Sequence, residues 1–295
     1  MHYLTLIILI FFNLSYDITV DDVRRGINDT TSAALLTGTT ISGGHQPKIK
    51  GTTCHMHAQE LVVTHALGLR TRRKRGFGVV DEFESGKLLR DAVKKLVSKI
   101  MDKKAKSRFV KYKEFCKNKL SMDVIKLLIP NETRVSGVFT MYESLLRSMK
   151  CINQYCLLST EANLYADVML TEAQWTSVAE TYALLLITNR LAMTSQIDSV
   201  DANCFSYYNV AKTRDSVNKI TQMGMNVVDV NSGWAPTIEP SAIPTVHKEY
   251  FQLQLETQTL IDRFVNEYDT YFPFPDSDQI QMMLLHPVMA WKGLE

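Results

Sequence analysis

Lys87-Leu88-Leu89-Arg90-Asp91-Ala92-Val93-Lys94-Lys95-Leu96-Val97-Ser98-Lys99-Ile100-Met101 is the stretch on which the fold class turns. Its apolar residues (Leu88, Leu89, Ala92, Val93, Leu96, Val97, Ile100 and Met101) come in pairs spaced by four. Residues three and four apart share one face of an α-helix, so the spacing predicts an amphipathic helix with an apolar stripe and a wet face of lysines. The same period recurs downstream. Val138, Met141, Leu145 and Met149 predict a helix over 135–152, and Thr171 offers an N-cap to the longest helix, over 171–193. Further helices are expected over 57–69, 122–129, 208–225 and 247–268, the last with Phe251, Leu255, Leu260 and Phe264 on its apolar face. Between the last two, residues 231–244 carry Pro236, Pro240 and Pro244 and read as a loop. Thirteen glycines and eight prolines are few for 295 residues, which favours helices over a turn-rich sandwich or barrel. The expectation is an all-α protein, a helical bundle.

With 45% apolar and 22% charged residues the chain has the composition of a globular protein and is long enough to bury a sizeable core. Its N-terminus is different in kind. Residues 4–12 are apolar apart from Thr5, a run with the length of a signal-peptide h-region and well short of the roughly 20 residues a membrane-spanning helix needs. Ser15 is the best small residue for leader cleavage, although no charged n-region precedes the run. A signal peptide over 1–16 and a secreted, soluble product are expected. Residues 17–53 are polar and rich in Thr, Ser and Gly without helical or strand period, and read as a poorly ordered pro-segment.

That segment leads to Arg70-Thr71-Arg72-Arg73-Lys74-Arg75-Gly76. The run Arg72, Arg73, Lys74, Arg75 before the small Gly76 resembles the substrates of subtilisin-like proprotein convertases, whose acidic subsites take several basic residues in an extended chain. Cleavage after Arg75 is expected, dividing a pro-segment over 17–75 from a helical mature domain over 76–295. Without a leader, the same cluster would read as a nuclear-targeting signal.

Five cysteines, Cys54, Cys116, Cys151, Cys156 and Cys204, suit an oxidising compartment. Their odd number is accounted for by the cut, which strands Cys54 upstream and leaves four downstream with three possible pairings. One or two disulfides among Cys116, Cys151, Cys156 and Cys204 are expected to stabilise the bundle. Asn28 and Asn131 head glycosylation tripeptides.

Charge is unevenly divided. Residues 87–119 hold thirteen Lys/Arg against three Asp/Glu, whereas residues 159–295 hold seven against seventeen. Three readings of the basic block compete. It is the solvated face of a helix balanced by the acidic half, or an amphipathic surface for anionic lipid headgroups, or a site for nucleic acid or an anionic glycan. An exported chain gives nucleic acid little occasion, so none is expected as a partner. Lys94, Lys95, Lys99, Lys103 and Lys104 are the candidates for membrane or receptor contact.

No motif for chemistry emerges. Cys54-His55-Met56-His57, with His45 and His65 nearby, matches no metal spacing and reads as surface histidines beside a structural cysteine. Downstream of the cut only His247 and His286 remain for a nucleophilic mechanism, and neither is marked by its neighbours. Neither an enzyme nor a cofactor or metal is expected. The new N-terminus, Gly76-Phe77-Gly78-Val79-Val80, runs at once into Asp81, Glu82 and Glu84, which counts against a viral fusion peptide.

In layout (leader, polar pro-segment, basic cut, helical cysteine-bearing body) the chain resembles secreted preprotoxins such as the yeast and fungal virus-encoded killer toxins. The layout implies a non-enzymatic toxin or effector that acts on a target cell membrane or receptor. A secreted or virion structural or attachment glycoprotein, working by protein–protein contact, is the alternative.

Overall fold

The computed structural model describes residues 25–28, 50–53, 55–70, 72–74, 78–81, 83–102, 107–129, 135–160, 162–194 and 200–272. The leader expected over 1–16 lies outside them. The chain divides into two compact units, residues 1–59 and residues 60–295.

In the first unit β1 (Arg25–Asn28) pairs in parallel with β2 (Lys50–Thr53), Arg25 opposite Lys50 and Asn28 opposite Thr53. These two strands lie within the segment that reads from the sequence as a poorly ordered pro-segment. Four-residue strands such as Lys50-Gly51-Thr52-Thr53 carry no apolar alternation, and a backbone ladder needs none. Asn28, the upstream glycosylation candidate, is the last residue of β1.

Helix α1 (His55–Ala66) crosses into the second unit, which is mainly helical; the described residues contain nine α-helices in all. A hairpin follows, β3 (Arg72–Lys74) antiparallel to β4 (Gly78–Asp81). Helix α2 (Glu84–Ile100) then buries Val93, Leu96, Val97 and Ile100, the stripe that the pairing by fours requires. Helix α3 (Ser107–Leu120) stops at Ser121, whose φ of 53° is left-handed, while the Met122 amide bonds back to the Cys116 carbonyl at 3.1 Å. That closure ends the helix, so residues 122–129 are not the helix expected. Of that stretch only Leu127 is fully buried, and the Leu128 amide is held by Ser144 Oγ at 3.2 Å.

The helix expected over 135–152 is two, α4 (Val135–Arg147) and α5 (Met149–Leu158). At the joint the Ser148 amide is shared between the carbonyls of Ser144 and Leu145, at 3.2 and 3.1 Å, a tightened turn that redirects the chain. After the single turn of α6 (Ala162–Tyr165) comes α7 (Glu172–Thr194). Its N-cap is Thr171, as expected: the Gln174 amide donates to Thr171 Oγ1 at 3.2 Å and the Thr171 amide to Gln174 Oε1 at 2.9 Å, a reciprocal capping box.

Helix α7 is the axis of the unit. It buries Val178, Ala179, Tyr182, Leu184 and Leu185 on several sides and packs against α2, α4, α8 (Val200–Met223), β5 (Met225–Val228) and α9 (Leu255–Tyr271). A helix apolar nearly all round belongs in a core. β5 pairs antiparallel with β6 (Thr245–Lys248), Met225 opposite Lys248 and Val228 opposite Thr245. Residues 245–248 are therefore strand, Tyr250–Gln252 is a 3-10 turn, and the last helix begins at Leu255 instead of 247. Phe251, assigned from the sequence to an apolar face, is 77% exposed. Glu180 of α7, fully buried, binds this corner together: Lys248 Nζ donates to its Oε1 at 2.7 Å and the Gln254 amide to its Oε2 at 3.0 Å.

No disulfide occurs among the described residues. There Cys116, Cys151 and Cys156 are buried thiols. The core of α7, α4 and α9 holds these helices by apolar burial, at roughly 1.5–3 kcal/mol for each fully buried Leu, Ile or Phe.

Candidate processing site and cationic face

Arg72, Arg73 and Lys74 form β3, with Arg72 opposite Asp81, Arg73 opposite Val79 and Lys74 opposite Gly78, and an irregularity between Arg72 and Arg73. The backbone of these residues is extended, the form a convertase cleft accepts. Arg75 and Gly76, between the strands in sequence, lie outside the described residues. A cut there leaves the β3–β4 pairs themselves unbroken.

The second compact unit begins at Glu60, so residues 60–75 share it with everything beyond the expected cut. Val62, Val63, Ala66 and Leu67 are at most 3% exposed. The end of α1 is capped twice. Gly68 takes a left-handed φ of 70°, and the Leu69 amide bonds to the Thr64 carbonyl at 2.8 Å. Arg263, from α9, donates Nε to the Ala66 carbonyl at 3.0 Å and Nη2 to the His65 carbonyl at 2.8 Å, a cation on the negative end of the helix. The same guanidinium lies 5.0 Å over the Phe83 ring. His65 is buried and stacks on Tyr271 at 5.9 Å, so it is no surface histidine. Gly86, in the first turn of α2, completes the seat: a Cβ there would stand 2.4 Å from the Leu67 carbonyl oxygen. Arg263 has no sequence signal, because its acceptors are backbone carbonyls nearly two hundred positions away.

Of the five lysines proposed for membrane or receptor contact, Lys103 and Lys104 lie outside the described residues. Lys94 is half-buried on α2. Lys99 Nζ and Lys95 Nζ both pair with Asp167, at 2.6 and 3.3 Å. The hydrogen bond from Lys99, then that from Lys95, holds the Asp167 carboxyl below the usual carboxylate range, so the pairs are complete at neutral pH. Lys95 and Asp167 are open to water and Lys99 is half-buried, and pairs at such a surface contribute little. The acidic half of the chain thus supplies one counter-charge to the basic half. On α3, Lys113, Lys117 and Lys119 are exposed, while Tyr112 and Cys116, on the opposite row, are buried. Asn131 lies outside the described residues, and Cys204 lies on α8.

Behind α3 the sulfur atoms gather. Cys151 Sγ donates to Met122 Sδ at 3.7 Å, and the amide of Met122 bonds in turn to the Cys116 carbonyl at 3.1 Å. Cys116 pulls the Cys151 thiol below the ordinary range, and is itself pushed above it. Cys156 is apart from them, near Lys99, and burial pushes it up to about 12. Among the described residues no three His, Cys, Asp or Glu side chains converge as a metal set, and no helix is long and apolar enough to cross a membrane. His247 Nδ1 lies 3.2 Å from Asn226 Oδ1 and its Nε2 3.5 Å from the Glu249 carboxylate, on the exposed β5–β6 hairpin.

Compared with known proteins, the chain matches no family model, no curated protein and no solved structure.

Proposed function

We propose that the chain is a secreted precursor, cut by a proprotein convertase after Arg75, whose mature form acts without catalysis as a toxin or effector at an anionic cell surface. The observation that supports processing best is the position of Arg72, Arg73 and Lys74 on an extended hairpin strand that leads straight into Arg75-Gly76. The docking of residues 60–70 adds a feature to the product: both fragments stay together after the cut, joined by α1 and the paired strands. The pro-segment is then a subunit of the mature protein. Contact with the target falls to the basic block over 87–119, and within it to the exposed Lys113 and Lys117 as well as Lys95.

Vesicles with an anionic phospholipid test the surface. Each lysine near such a membrane contributes about 1 kcal/mol. Lys113→Gln with Lys117→Gln is expected to weaken binding by roughly tenfold or more, and Asp167→Asn, which releases Lys95 and Lys99, to strengthen it about fivefold. A folded double variant that binds as tightly as the parent sinks the membrane role. A parent that leaves the vesicles both unbound and intact favours the second reading, an attachment glycoprotein. That reading draws on Met223, Phe251 and Leu255, apolar side chains 65%, 77% and 73% exposed around one corner of the unit.

A further inference from the structure

Cys116 on α3 and Cys151 on α5 are nucleophilic side chains buried away from the surface. The two helices pack together, and their seam is lined by aromatic rings: Tyr112 and Phe115 each meet Tyr155 edge-on at 5.3 Å. Both thiols are fully buried there, and Met122 links them, its sulfur 3.7 Å from Cys151 Sγ and its amide 3.1 Å from the Cys116 carbonyl. Cys156, five residues after Cys151, stands about 140° further round the helix and is turned toward Lys99 of α2. The four downstream cysteines allow three pairings in principle, and the packing of α3 on α5 brings Cys116 and Cys151 into one buried seam.

We infer that Cys116 and Cys151 form a disulfide in the exported protein, bolting α3 to α5 and leaving Cys156 reduced. The inference rests on the export reading for the compartment in which an oxidant is met, and on the fold alone for the choice of partners. The step is a thiol–disulfide exchange with a small-molecule disulfide such as oxidised glutathione. The Cys151 thiolate attacks one glutathione sulfur and expels the first glutathione thiolate. The Cys116 thiolate then attacks Cys151 Sγ, forms the protein disulfide and expels the second. Two protein thiols lose two protons and two electrons, and one oxidised glutathione becomes two reduced ones. Cys151 suits the first role, since Cys116 and the adjacent Lys150 favour the thiolate. Burial makes the folded seam slow to react, so the bond forms as α3 and α5 come together.

The full chain, refolded from denaturant with reduced and oxidised glutathione, is trapped with an alkylating agent, digested and mapped by mass spectrometry. The expected product is a peptide pair joined through Cys116 and Cys151, two hydrogens lighter than its parts, with Cys156 alkylated. Reduction is expected to lower the thermal midpoint by roughly 5–10 °C. In Cys151→Ser the link is expected to vanish and Cys116 to be alkylated. Helical protein in which Cys116 and Cys151 are both alkylated overturns the inference, as does Cys116 joined to another cysteine. The same map made on protein recovered from a secretory culture tests the compartment separately. Thiols retained there, but joined in the refolded chain, would count against export and leave the pairing standing.

Discussion

Gly68→Ala is expected to destabilise the helical unit by about 3–5 kcal/mol, read as a fall in the urea midpoint. Two costs combine. A left-handed φ of 70° strains any residue with a Cβ, by about 1–3 kcal/mol. The new methyl would also stand 2.2 Å from the Phe83 carbonyl oxygen, a backbone atom that no side-chain rotation can move away. Relief requires the end of α1 to lift from the start of α2, and with it the contacts of Arg263 to the His65 and Ala66 carbonyls. In cut protein the same substitution is expected to release the upstream fragment on gel filtration. A loss below about 1 kcal/mol with both fragments still co-eluting would mean that residues 60–70 contribute little to the unit.

Lys248→Met is expected to cost about 3 kcal/mol. It leaves the Glu180 carboxylate, which is fully buried, with only the Gln254 amide, and uncompensated buried charges cost 3–5 kcal/mol. The lower end applies because the Lys248 side chain is 23% exposed. Replacing both partners, Glu180→Leu with Lys248→Met, is expected to restore most of the loss, since a buried ion pair and a well-packed apolar pair are often close in energy. A double-mutant cycle in urea measures the difference. Equal losses in the single and double variants would mean that Lys248 acts through packing and not through charge.

Helix α2 and the α4–α5 pair, though not its break at Ser148, were legible in the sequence because each covers its core with a stripe of period 3.6, whereas α7, apolar nearly all round, was legible from the N-cap Thr171. What failed were features set by contacts distant in sequence. The 245–248 strand exists because Met225–Val228 lies beside it, and its Thr-Val-His-Lys carries no alternation strong enough to outweigh the helical pattern that follows. The 122–129 segment has helix-forming residues, yet the left-handed Ser121 and the Ser144 hydroxyl hold it in another conformation. At the candidate site the basic run was plain from composition, since runs of arginine and lysine need no fold to be seen. Its hairpin, the docking of α1 and the clamp of Arg263 were not, because strand pairing and a guanidinium on carbonyl oxygens leave no trace in residue type. The cysteines could be counted from the sequence, but only the packing of α3 on α5 selects Cys116 and Cys151.

The whole chain expressed in a eukaryotic secretion system, its medium resolved by gel filtration and each peak sequenced from its N-termini, tests export, cleavage and docking together. The expected result is a single peak that yields Gly76 as one N-terminus and a residue near position 17 as the other, with intact single chain in its place for Arg75→Ala. Uncut protein retained in the cell would contradict the account and move the basic run to nuclear targeting. A secreted fragment beginning at Gly76 but free of its upstream partner would contradict the docking of residues 60–70.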